Sequence, residues 1–153
     1  MSVHSLVIDD EFVALSKMVT MLEQFGPCDG ATTAQQGLEL FRNALKAGNP
    51  YRLVTIDINL PDADGLTLLK RFHAEERRNG DTIHARMLMV TAESSMSNVL
   101  AAVASKCDGF LVKPVRQSLL FEKLVALGFL FGNAAPQAAG AAEVPALAPN
   151  SPK

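Results

Sequence analysis

Short apolar runs alternate with amphipathic stretches along most of this chain, and that alternation limits its fold more than any other feature. Leu6-Val7-Ile8 is the first run and stops at Asp9-Asp10. Phe12, Leu15, Val19 and Leu22 then recur at helical spacing, with Met18, Met21 and Phe25 widening the apolar face, until Gly26-Pro27 ends the helix. Cys28 to Thr32 is a weak second strand. Gly37 to Ala47 follows as a helix with Leu38, Phe41 and Leu45 on one face. Leu53 to Ile56 is a third strand ending at Asp57. After a Pro- and Asp-rich loop, Asp64 stands where an N-cap belongs, and Leu66, Leu69 and Phe72 continue as a helix to Asn79-Gly80. Arg86 to Val90 stops at Thr91, Ser94 to Lys106 reads as a helix with a narrow apolar face, Phe110 to Val112 stops at Lys113-Pro114, and Arg116 to Leu127 is the last helix. Strands each followed by a helix make an α/β chain: a parallel sheet covered on both faces, with right-handed crossovers.

Length and composition agree with one such domain. The chain has 153 residues, 48% hydrophobic and 20% charged, enough to bury a core without disulfides. The expected division is a folded domain over 1–132 and an Ala/Pro-rich flexible tail or linker stub over 133–153, where Pro136, Pro145, Pro149 and Pro152 oppose a long helix. A formal net charge of -2 offers no basic field for nucleic acid. No apolar stretch approaches the roughly 20 residues of a membrane span, and the N-terminus lacks the pattern of a secretion signal; the expected location is cytoplasmic. Cys28 and Cys107 lie in no metal-type spacing and read as reduced thiols.

The strand ends carry the chemistry. In an open parallel sheet all carboxyl ends share one edge, where ligands bind. Asp9, Asp10, Asp57, Thr91 and Lys113 therefore converge from four separate segments, and packing gives no reason for such residues there. Adjacent strand residues face opposite sides, so the chain must leave the strand at Asp9-Asp10 for both carboxylates to converge. Clustered carboxylates without His or Cys favour a hard cation, Mg²⁺, over zinc. A metal, an ammonium and a hydroxyl around one carboxylate make an electrostatic clamp for a phosphoryl group, with the central carboxylate as nucleophile.

Asp9-Asp10-Glu11, Asp57-Ile58-Asn59-Leu60-Pro61 with Asp64-Gly65, Thr91-Ala92-Glu93 and Phe110-Leu111-Val112-Lys113-Pro114 together resemble the signature of CheY-like receiver domains of two-component response regulators, over roughly residues 4 to 130. Each motif is weak alone; four in order are specific. The resemblance implies a (βα)5 flavodoxin-like, doubly wound sheet with strand order 2-1-3-4-5, the order that CheY itself has. It implies Asp57 as phosphoacceptor and Mg²⁺ held by Asp10, Asp57 and the backbone carbonyl of Asn59, with Asp9 supporting through water. Lys113 would pair with Asp57 and then the phosphoryl oxygens. Thr91 and Phe110 would act as the switch pair, Ala92 would leave room for the donor, and Lys113–Pro114 would be cis. The implied donor is a sensor histidine kinase or histidine phosphotransfer protein, with a downstream protein target. No DNA-binding segment follows the tail, so the expectation is a stand-alone receiver or a chain ending in a linker.

Two other functions compete. A phosphorylation-independent pseudo-receiver would usually have lost an acidic residue, the Thr or the Lys, and all are here. A Mg²⁺-dependent phosphatase of the haloacid dehalogenase type would place a second Asp two residues after the nucleophile, where this chain has Asn59. Catalysis is thus expected only as self-catalysed phosphotransfer and dephosphorylation. On the last helix Leu120, Leu124 and Leu127 suffice for the core; Leu119, Phe121, Val125, Phe129, Leu130 and Phe131 are in surplus. That surplus predicts a homodimer or partner interface, unless the tail folds back over it.

Overall fold

The computed structural model describes residues 2–80, 84–92 and 107–129. The helix expected over Ser94–Lys106 and the tail expected over 133–153 lie outside the described residues. The described strands are β1 (Ser5–Ile8), β2 (Cys28–Ala31), β3 (Leu53–Asp57), β4 (Arg86–Thr91) and β5 (Gly109–Val112). The described helices are α1 (Phe12–Leu22), α2 (Ala34–Lys46), α3 (Gly65–Asn79) and α4 (Gln117–Ala126). The strands form one parallel sheet in the order β2-β1-β3-β4-β5.

Alternation along each central strand divides the core into two layers. Leu6, Ile8, Val54, Ile56, Met87 and Met89 face α2 and α3, where Leu38, Phe41, Leu68 and Phe72 meet them. Val7, Leu53, Leu88, Val90 and Leu111 face α1 and α4, against Met18, Leu22, Leu120 and Leu124. Both faces of the central strands are buried, which is why they read as nearly continuous apolar runs, broken only by small hydroxyl residues such as Thr55.

Three local expectations change. The second helix begins at Ala34, three residues before the expected Gly37, because Thr33 Oγ1 accepts from the Gln36 N–H and caps it. Phe12 was expected on the apolar face of α1, but it is 75% exposed and Val13 is 71% exposed. The first turn of α1 follows the end of β1, where the chain has already left the sheet. The last helix carries less surplus than its sequence implies. After Gly128, at φ 87°, the chain turns so that the Phe129 N–H reaches the Leu124 carbonyl, and the Phe129 ring joins the core with Val3 and Phe25. Phe121 and Leu127 pack against the same layer, and Leu119, 37% exposed, is the one exposed large hydrophobic among the described α4 residues. Leu130 and Phe131 lie outside the described residues.

Side-chain capping divides the helices by layer. Thr33 caps α2, and Asp64 caps α3 through the Thr67 N–H at 2.8 Å. Neither Glu11 before α1 nor Arg116 before α4 makes a side-chain capping bond.

Candidate functional site at the carboxyl edge of the sheet

β1 ends at Ile8, and the next two residues leave the strand. The Asp9 N–H still bonds the Ala31 carbonyl at 3.0 Å, while the Asp9 Oδ1 accepts from the Glu11 N–H at 2.9 Å. The buried Asp9 carboxylate is thereby fixed, and exposed Asp10 turns so that its carboxylate joins it. Asp57 closes β3, opposite Val90 in register. Oxygens of Asp9, Asp10 and Asp57 all lie within 4.8 Å of one another. Asp57 is only 6% exposed. Its Oδ1 accepts from the Asn59 N–H at 3.1 Å, and Asn59 pairs with Asp64 across the loop.

Lys113 follows β5, with its N–H on the Thr91 carbonyl at 2.8 Å and a cis bond to Pro114. Its Nζ lies 3.0 Å from Asp9 Oδ2, 3.3 Å from Asp57 Oδ2 and 3.3 Å from Glu11 Oε1. Burial works against this ammonium, but the Asp9 hydrogen bond and the Asp57 charge outweigh it and hold Lys113 above its ordinary range. Burial pushes the Asp57 carboxyl up; the Asn59 N–H and the Lys113 ammonium oppose that, and the charge of Asp9 adds to it.

The remaining expected site residues are near but differently engaged. Thr91 is fully buried, and its hydroxyl donates to the Ala92 carbonyl at 3.0 Å. Phe110 is half-buried on β5, with Lys123 Nζ 5.5 Å above its ring. Beside Asp9 and Lys113, a cleft of about 560 Å³ runs along the start of α1, lined by Phe12, Val13, Met18, Met21 and Val115.

Two carboxylates that had no role assigned from sequence bear on the site. Glu11 is the third oxygen partner of Lys113. Asp62 reaches across to α2, its two oxygens accepting from the Ala34 and Gln35 N–H groups at 2.8 and 3.0 Å. Asp62 thus moors the loop after Asp57 to a helix start. Those two N–H bonds hold its carboxyl below the usual range. A depressed folded pKa contributes stability above the unfolded value, lost as pH falls through the folded one. Asp62→Ala is expected to melt a few degrees below the wild type at pH 7. The gap should narrow below about pH 4, as thermal melts across a pH series would show.

No described helix is long and apolar enough to cross a membrane. Both cysteines are free and half-buried, and burial pushes the Cys28 thiol up to about 12.

Known proteins share this architecture. The family model described as the response regulator receiver domain matches residues 5–125. The chain is 30% identical to the chemotaxis protein CheY-3 of Vibrio cholerae over 78% of this chain and 87% of that protein. It is 31% identical to the transcriptional regulatory protein BasR of Escherichia coli over 80% of this chain, spanning 50% of BasR. A CheY-like receiver domain structure from Methanospirillum hungatei superposes with a TM-score of 0.68 at 28% identity, covering 83% of this chain and 94% of that one. With its five-stranded order and its acidic edge, this chain belongs to the receiver domain family of two-component response regulators.

Proposed function

We propose that this receiver is a phosphorylation switch in which Asp57 accepts a phosphoryl group from a sensor histidine kinase or a histidine phosphotransfer protein. The observation that carries this reading is the Lys113 ammonium, 3.3 Å from Asp57 and 3.0 Å from Asp9 at the mouth of a three-carboxylate cluster. An Asp57 oxygen attacks phosphorus, the P–N bond of the phosphohistidine breaks, and its electron pair returns to the imidazole nitrogen. Lys113 follows the charge onto the phosphoryl oxygens. The Thr91 hydroxyl leaves the Ala92 carbonyl to bond a phosphoryl oxygen, and Phe110 moves with it, passing the change to a downstream protein.

The donor set fits Mg²⁺: all oxygen, two of the three carboxylates buried, and, among the described residues, only the Lys113 ammonium to balance them. Asp10, Asp57 and the Asn59 carbonyl would hold the ion, with Asp9 through water. When bound, the ion neutralises the carboxylates and the charge on the transferring group. The chain catalyses only its own phosphorylation and dephosphorylation. It acts in the cytoplasm and, at net charge -2, binds no nucleic acid by itself. Residues 1–132 form the receiver and 133–153 a tail or linker. A homodimer through α4 rests on exposed Leu119 and half-buried Val125, a smaller face than the sequence implied.

The test is intact-protein mass after incubation with phosphoramidate or acetyl phosphate. The expected result is a base-labile gain of one phosphoryl group that requires Mg²⁺. No gain under any condition would leave an interaction module that does not use phosphorylation.

A further inference from the structure

Lys113 has more claimants than the proposed chemistry needs. Asp9 and Asp57 belong to the carboxylate cluster that fits a cation; Glu11 does not, yet its Oε1 also lies 3.3 Å from Lys113 Nζ. Glu11 occupies the N-cap position of α1 and makes no capping bond with its side chain. A Glu there is one methylene too long to serve the first-turn amides as Asp or Ser does. Its side chain is mostly exposed, so neither packing nor helix capping explains where it points. The length that spoils capping lets it span from α1 to the β5–α4 turn.

We propose that Glu11 is a positioning residue that restrains Lys113, holding its ammonium toward the outer rim of the site so that an arriving phosphoryl group must compete for it. The inference rests on the phosphorylation reading given above. In the ground state the ammonium is shared among three carboxylates. In the phosphorylated state it must turn to the phosphoryl oxygens, and each carboxylate that holds it back slows that step. Glu11 is the one whose hold serves neither the cation nor the acceptor.

Two variants separate restraint from bare charge. Glu11→Gln removes the charge. Glu11→Asp keeps the charge, shortens the side chain out of reach of Lys113 and gives α1 a good cap. The readout is the rate constant of phosphorylation by phosphoramidate at saturating Mg²⁺, followed by intact mass. Both variants are expected to react roughly two- to fivefold faster than the wild type, the scale of an exposed ion pair. If Glu11→Asp reacts at the wild-type rate, the effect is charge alone and the inference is overturned. Unchanged or slower rates in both variants overturn it equally. Absence of labelling in the wild type brings down the functional reading and this inference together; a labelled wild type with unresponsive variants brings down only the inference.

Discussion

Asp57→Asn is expected to gain no phosphoryl group at any donor concentration while its fold becomes more stable. Asparagine matches the shape of Asp57 and can still accept from the Asn59 N–H, but its amide oxygen does not form an acyl phosphate. Lys113 keeps Asp9 and Glu11 as partners. What disappears is a carboxylate whose ionisation is opposed chiefly by burial and further by Asp9. Its raised folded pKa means that the native state holds that proton more tightly than the unfolded chain. Wild-type stability therefore declines as pH rises through and above the ordinary carboxylate range, and the variant lacks that decline. In metal-free buffer at pH 7 the gain should be on the order of 1 kcal/mol. Melting curves with and without Mg²⁺ check this, because the ion should stabilise the wild type more than the variant. A persistent base-labile label in Asp57→Asn would move the acceptor to another residue.

Gly65→Ala is expected to damage stability and phosphorylation together. A Cβ at Gly65 would lie 2.6 Å from the Asp57 carbonyl oxygen and 2.9 Å from the Ile58 Cα. Both are backbone atoms, one in the last residue of β3 and one in the residue just after it, so no side-chain rotation relieves the contact. The Gly65 N–H also bonds the Ile58 carbonyl at 2.7 Å, so α3 cannot back away without losing that bond. Overpacking of this kind costs about 1–3 kcal/mol, a drop of roughly 4–10 °C in melting temperature for a domain of this size. Because the displaced strand carries Asp57, the phosphoramidate rate should fall by about 10- to 100-fold. A wild-type rate together with a lowered melting temperature would show that α3, and not β3, gives way.

The fold was legible where a local pattern reports a local cause. Strands buried on two faces must be largely apolar, and helices on a sheet must repeat near every 3.6 residues, so Leu53–Ile56 and the Leu66, Leu69, Phe72 series declared themselves. The polar residues at strand ends stood out against those runs, and the structure gathers Asp9, Asp10, Asp57 and Lys113 at one edge. Strand order came only with the family resemblance, since alternation alone does not rank strands in a sheet. What stayed hidden depends on distant pairings that leave no periodicity. Glu11 meets Lys113 across 102 positions, and Asp62 reaches back 28 positions to the start of α2. The burial of Phe129 is one consequence of such contacts, because a ring beyond a helix end finds the core only through the turn at Gly128. The early start of α2 has a local cause instead, the Thr33 cap on the Gln36 N–H, which lies ahead of the apolar repeat.

The distribution of helix caps gives this domain a firm side and a yielding side. α2 and α3, which share one face of the sheet, each begin with a side chain closing their first amides, and Asp62 ties α2 to the acceptor loop as well. α1 and α4 share the other face and begin without one. Amide protons in the first turns of α1 and α4 therefore open to solvent at lower free energy than their counterparts in α2 and α3. Glu11 sits at one of those open starts, and Lys113 lies three residues before the N-cap of the other. A charge arriving at Asp57 would press against the half of the molecule least braced to resist it.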